Sequence, residues 1–183
     1  CEQYLTYPNT SLLHDGYAQT ILKGLHKLAQ EWENRKTPLW QENLMLLANQ
    51  ALNGFIGSGV PQDWGTHMIG HEITAFYGLD HAQSLAVVQP HLLRVMIEDK
   101  KEKLTQMGKE VFDMPHNYEM VIEAIEYMYQ SIGVPTKLSA YKTDDKVIDN
   151  ITKALEAHGM TALGEKENLT LDKVSQILTM SLK

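Results

Sequence analysis

Gly65-Thr66-His67-Met68-Ile69-Gly70-His71-Glu72-Ile73-Thr74-Ala75-Phe76-Tyr77-Gly78-Leu79-Asp80-His81-Ala82-Gln83 is the stretch that decides the fold. Ile69, Ile73 and Phe76 recur at steps of four and three, the helical period, so they are expected on one core-facing side of a helix over about residues 62–77. Gly78 supplies the left-handed backbone on which helices commonly end. Asp80 with Gln83 three residues on is a variant of the capping box, and it opens another helix over about 81–97. That helix begins with the apolar run Leu85-Ala86-Val87-Val88, and Pro90 removes one ladder bond, which predicts a kink.

The same punctuation extends in both directions. Upstream, Leu13, Tyr17, Ile21, Leu25 and Leu28 form a stripe on a helix over about 10–34, closed by Asn34 and Pro38. A helix over about 39–56 carries Leu44, Leu47, Ala48, Ala51, Leu52 and Phe55 and stops in Gly57-Ser58-Gly59-Val60-Pro61. Downstream, helices are expected over about 98–112, 118–132, 144–158 and 171–182, the last capped by Thr170. Alternating β-branched stretches are scarce. The reading is an all-α, helical-bundle fold of six to eight helices occupying residues 1–183 as one domain. In the mixed run Glu98-Asp99-Lys100-Lys101-Glu102-Lys103 the signs interleave and cancel, which predicts a solvated corner or helix face.

Composition bounds the function. The 183 residues are 43% hydrophobic and 21% charged, ordinary for a soluble globular chain. Sixteen Lys and Arg against 23 Asp and Glu give a formal charge of −7, so the phosphate-neutralising attraction that drives nucleic-acid binding is missing. No nucleic acid and no membrane partner is expected, because no apolar run approaches a bilayer span. The single cysteine, Cys1, makes no internal disulfide, and with no signal segment the expected location is cytoplasmic. Asn9-Thr10-Ser11 and Asn168-Leu169-Thr170 match the glycosylation sequon by chance on this reading.

Eight histidines are present, and three fall within the opening stretch. At about 100° per residue His67, His71 and Thr74 share one helix side, with Gly70 beside them. That face offers imidazoles and small residues where Lys and Glu would be usual. Imidazole is a common ligand for Zn and also suits Fe, and His81 sits at a helix N-terminus, where the dipole favours the neutral ring a metal requires. A zinc-protease arrangement would need a second histidine at position 75, which is Ala75. Two further readings stay open: a non-enzymatic helical interaction domain docking a partner through its histidine face, and a helical-bundle metallohydrolase, which the lack of interleaved carboxylates disfavours. His14, His26, His91, His116 and His158 lack a ligand-spaced partner and read as surface or capping groups. Trp32 and Trp40 read as core fillers, and Trp64 stands close enough to His67 to line a pocket.

Gly65-Thr66-His67-Met68-Ile69-Gly70-His71-Glu72, followed ten residues after His71 by His81, resembles the second signature of the iron-containing alcohol dehydrogenase family, in its branch of NADPH-dependent aldehyde reductases and butanol dehydrogenases. Glu2-Gln3-Tyr4, Ala51-Leu52-Asn53-Gly54, Leu79-Asp80-His81-Ala82-Gln83, Gly133-Val134-Pro135-Thr136 and His158-Gly159-Met160-Thr161 extend the resemblance over essentially the whole chain. It implies the C-terminal helical domain of a two-domain dehydrogenase, similar to the C-terminal half of dehydroquinate synthase, with the N-terminal nucleotide-binding domain outside this chain. It also implies a divalent metal, Fe or Zn, in the cleft between the domains, with His67 and His81 as two ligands. The family's Asp and first His are then expected directly ahead of Glu2-Gln3-Tyr4, so the chain is expected to be a piece of a longer one. His71 matches the histidine beside substrate and nicotinamide, a catalytic position for proton relay or substrate positioning. NADP(H) rather than NAD(H), a small aldehyde or alcohol, and a homodimer are further implications, and the piece alone is expected to be inactive. Asp80-His81-Ala82 departs from the Pro-His-Gly of many relatives and fits the butanol dehydrogenase branch.

Overall fold

The computed structural model describes residues 1–6, 11–114, 117–144 and 146–182. His116 and the Asn9 sequon lie outside the described residues. Eight α-helices follow in order: α1 (Leu12–Gln30), α2 (Pro38–Leu52), α3 (Gly65–Tyr77), α4 (His81–Val95), α5 (Ile97–Val111), α6 (Tyr118–Ser131), α7 (Lys146–Ala157) and α8 (Leu171–Leu182). Their ends carry the expected chemistry. The side chains of Ser11, Thr37 and Asn117 accept from the first-turn N–H groups of α1, α2 and α6, and Pro38 occupies the first turn of α2. Gly78 closes α3 at φ +67°, a conformation that favours glycine. The Asp80 N–H donates to Gln83 Oε1 at 3.0 Å as α4 begins.

Helix α4 is the axle. It buries Ala86 through Leu93 without a break, because two cores lie against it on different sides. In one core Ile69 and Ile73 of α3 meet Val88 and Leu92 of α4, Ile151 and Leu155 of α7, and Ile177 and Leu178 of α8. In the other, Leu93 of α4 joins Leu104 and Met107 of α5, Val121 and Ile125 of α6, Ala18 of α1, and Tyr4 and Leu5. Pro90 is buried inside α4, and the helix continues beyond it to Val95.

Several expectations are corrected. Phe76 is 55% exposed, since only Ile69 and Ile73 of its stripe meet α7 and α8. Leu13 is exposed and Ala18 is buried in its place, because α1 turns its covered face toward α5 and α6. Trp40 is the buried residue of α2, its indole N–H donating to the Leu28 carbonyl at 3.0 Å; Leu44 and Leu52 are exposed. The helix expected from residue 62 starts at Gly65, after a short 3-10 turn over Phe55–Gly57. A two-stranded antiparallel hairpin, β1 (Ala162–Leu163) with β2 (Leu169–Thr170), stands where the pattern showed nothing. His91 is buried, and so, within the run read as solvated, are Lys100 and Lys103.

Candidate metal centre

The loop ahead of α3 is fastened twice to the first residues of the chain. The Gln3 amide donates to the Asp63 carbonyl at 2.6 Å, and the Asp63 N–H donates back to Gln3 Oε1 at 3.2 Å. Residues 1–5 form a turn closed by the Leu5 N–H on the Cys1 carbonyl, with Tyr4 and Leu5 buried as its anchors. This places the Glu2 carboxylate over the N-terminus of α3, where the first N–H groups of a helix have no intrahelical acceptor. Glu2 Oε1 accepts from the Thr66 N–H at 2.6 Å, Asp63 Oδ1 accepts from the Gly65 N–H at 2.7 Å, and Glu2 Oε2 meets Nδ1 of His67.

Helices α3 and α4 meet at Gly70. A Cβ built there would stand 2.9 Å from Leu85 Cδ2 and 3.3 Å from Ser84 Oγ, so the bare glycine lets α4 approach. A hydroxyl chain holds the approach: Thr74 donates to Ser84 at 3.0 Å, and Ser84 donates to the His81 carbonyl at 2.9 Å. Three imidazoles converge as a result. The ring centres of His67 and His81 are 5.4 Å apart, those of His71 and His81 5.3 Å, and those of His67 and His71 5.8 Å. Burial, and then the neighbouring rings of His67 and His71, hold the His81 imidazole below its ordinary pKa, toward the neutral form.

The donor set fits a divalent metal. Two imidazoles sharing one tetrahedral ion through nitrogens at about 2.0–2.1 Å have ring centres about 5 Å apart. The separations fit each pair, so distance by itself does not choose two ligands among the three. Among the described residues no three His, Cys, Asp or Glu side chains form a complete cluster for an ion, so further donors are needed to fill its shell. Trp64 lies edge-on to His67 with ring centres 5.1 Å apart, and both residues line a cavity of about 370 Å³ walled by Leu22, Leu25, Ile56 and the backbone around Gly57.

The other histidines stand apart. His158 pairs with Glu72 at 2.8 Å on the far side of α3, which also removes the carboxylate next to His71 from the imidazole face. His14 stacks on Phe55, and His26 lies edge-on to Phe112. His91 is wedged between Arg94 and Lys137, each 3.4 Å from a ring nitrogen. Reading from local pattern missed Glu2 as a member of the centre, since its partner is 65 residues away and no spacing rule links them.

Residues 1–182 match the family described as the Fe-containing alcohol dehydrogenase family, C-terminal. The NADPH-dependent aldehyde reductase YqhD of Escherichia coli is 43% identical over 180 residues, covering 93% of this chain and 46% of that protein. A probable NADH-dependent butanol dehydrogenase of Bacillus subtilis is 28% identical over 99% of this chain and 48% of its own length. The substrate- and cofactor-free structure of YqhD superposes with a TM-score of 0.94 over 98% of this chain and 49% of that one, at 40% identity. Butanol dehydrogenase A of Thermotoga maritima, 22% identical over 99% of this chain and 50% of that one, shares the fold at a TM-score of 0.86. This chain spans about half the length of these relatives, and it belongs to the Fe-containing alcohol dehydrogenase family, of which it is C-terminal sequence.

Proposed function

We propose that the chain is the helical, metal-binding domain of a nicotinamide-dependent enzyme that interconverts small aldehydes and primary alcohols. The observation that carries this reading is the convergence of His67, His71 and His81 at the α3–α4 corner, beside an apolar cavity. His67 and His81 would hold the ion, iron or zinc, with the remaining ligands and the nucleotide-binding domain supplied by chain outside this sequence. When bound, such an ion acts as a Lewis acid on the substrate oxygen, where negative charge develops as hydride arrives.

The residues of this chain do the rest. Among the described residues His71 presents an imidazole to the same corner without a carboxylate partner, which suits it to orient the substrate oxygen or relay its proton. Trp64 and the aliphatic wall at Leu22, Leu25 and Ile56 exclude water and accept an alkyl tail, favouring short unbranched aldehydes over polar ones. NADP(H) is the proposed cofactor, supported by the higher identity to the NADPH-dependent reductase than to the NADH-dependent dehydrogenase. A homodimer and a cytoplasmic location complete the reading; among the described residues no helix is long and apolar enough to cross a membrane.

The test uses the full-length protein that contains this chain. It should retain about one iron or zinc per chain on dialysis and oxidise NADPH with butanal faster than NADH. Metal content that is unchanged in both His67→Ala and His81→Ala overturns the ligand assignment.

A further inference from the structure

We propose that Glu2 is the positioning residue for His67, fixing which ring nitrogen faces the metal; this rests on the reading of His67 as a ligand. The Glu2 side chain is only 7% exposed, and both of its oxygens are engaged, Oε1 by the Thr66 N–H at 2.6 Å and Oε2 by His67 Nδ1. A carboxylate in that setting accepts and does not donate, so the hydrogen between the two side chains belongs to Nδ1. Nε2 is thereby left with its lone pair, the state in which imidazole binds a metal, and the ring is held in one orientation toward His71 and His81.

The carboxylate is itself held in place. The paired Gln3–Asp63 hydrogen bonds and the buried Tyr4 and Leu5 lock residues 1–5 onto the loop before α3. The positive end of that helix and its unsatisfied first-turn N–H favour an anion where Glu2 lies. Capping a helix needs only one oxygen, and Asp63 already serves the adjacent Gly65 N–H. The second oxygen of Glu2 has His67 as its partner, which accounts for a buried carboxylate at this position better than capping does.

Glu2→Gln separates the two duties. An amide has one acceptor oxygen where the carboxylate has two, so its NH2 must face either the Thr66 N–H, a clash of donors, or His67 Nδ1. In the second arrangement Nδ1 becomes the acceptor and the ring hydrogen moves to Nε2, the nitrogen the ion requires. In the metal-free full-length protein, 15N NMR of histidine-labelled samples, with the His67 signals assigned from His67→Ala, should show the wild-type hydrogen on Nδ1 and its loss or displacement in Glu2→Gln. Competition with a chelator should show zinc held about 10- to 100-fold more weakly by Glu2→Gln. Wild-type protein with the hydrogen on Nε2 overturns the inference without any variant, so a Glu2→Gln protein that does not fold leaves it testable. If His67→Ala loses zinc while Glu2→Gln holds it as tightly as wild type, the role of Glu2 falls and the metal site stands. If His67→Ala also holds zinc as wild type does, the metal site fails and the inference with it.

Discussion

Two polar clusters flank the start of α3 and differ in every physical respect. On one side His67, His71 and His81 gather at one corner, His71 and His81 both exposed. On the other, the Lys100 ammonium of α5 is 2% exposed and is closed off by Asp63 Oδ2 at 2.7 Å and both oxygens of Glu165 at 2.8 Å. All three ammonium hydrogens therefore have acceptors, and no donor is left for a ligand. Burial pushes the Glu165 carboxyl up even with Lys100 beside it, as expected of a charge group removed from water. Asp63 also accepts from the Gly65 N–H, so this network is tied to the first residue of α3. The buried cluster is complete among the described residues, and the accessible one is not.

The contrast is broken or sharpened by four measurements. In the full-length protein His81→Ala or His67→Ala should lower kcat/KM at least about 10³-fold, together with metal content, while the melting temperature of the metal-free His81→Ala protein stays close to wild type. Lys100→Ala should do the reverse: urea unfolding should show a loss of about 3–5 kcal/mol, because two buried carboxylates are left uncompensated. Metal bound per folded molecule should then change little. A Lys100→Ala protein as stable as wild type would mean that the cluster is not the fastener described.

His91 supplies the third test, from inside the fold. Burial, with Lys137 and Arg94 close by and Glu126 opposing them, lowers its pKa to about 4. The unfolded chain, titrating near 6.5, takes up this proton first, so stability is full above pH 6.5 and falls as the pH drops toward 4. Unfolding at a series of pH values should show a loss of about 2–3 kcal/mol across that window, absent in His91→Gln. The smallest effect belongs to His158, 56% exposed in its pair with Glu72: His158→Ala should cost under about 1 kcal/mol by thermal melting and leave metal content unchanged.

How much of this was legible in the chain varies by element. Helix α8 was expected over 171–182 and spans Leu171–Leu182, where Thr170, expected to cap it, belongs to β2; α3 was expected to end at Gly78 and does, because an αL glycine acts within one turn. The imidazole face was legible for the same reason, as residues four apart on a helix share a side whatever surrounds them. The burial of Lys100 was not, since its acceptors lie 37 and 65 residues away and no local rule points to them. Nor was the exposure of the α2 stripe, because periodicity identifies an apolar face without naming what covers it.

By itself, then, the amino-acid order determined the eight helices, most of their limits, and the placing of two histidines on one helical face with a third just past a glycine turn. Those features depend on interactions that span a few residues. Tertiary structure alone decided that the three rings converge, through the close approach at Gly70, that Glu2 meets His67, and that Lys100 and Lys103 of a charged run are sealed inside while Lys101 between them remains at the surface. Each of these depends on which distant segment packs against which, and the energy that selects it arises only when the cores close.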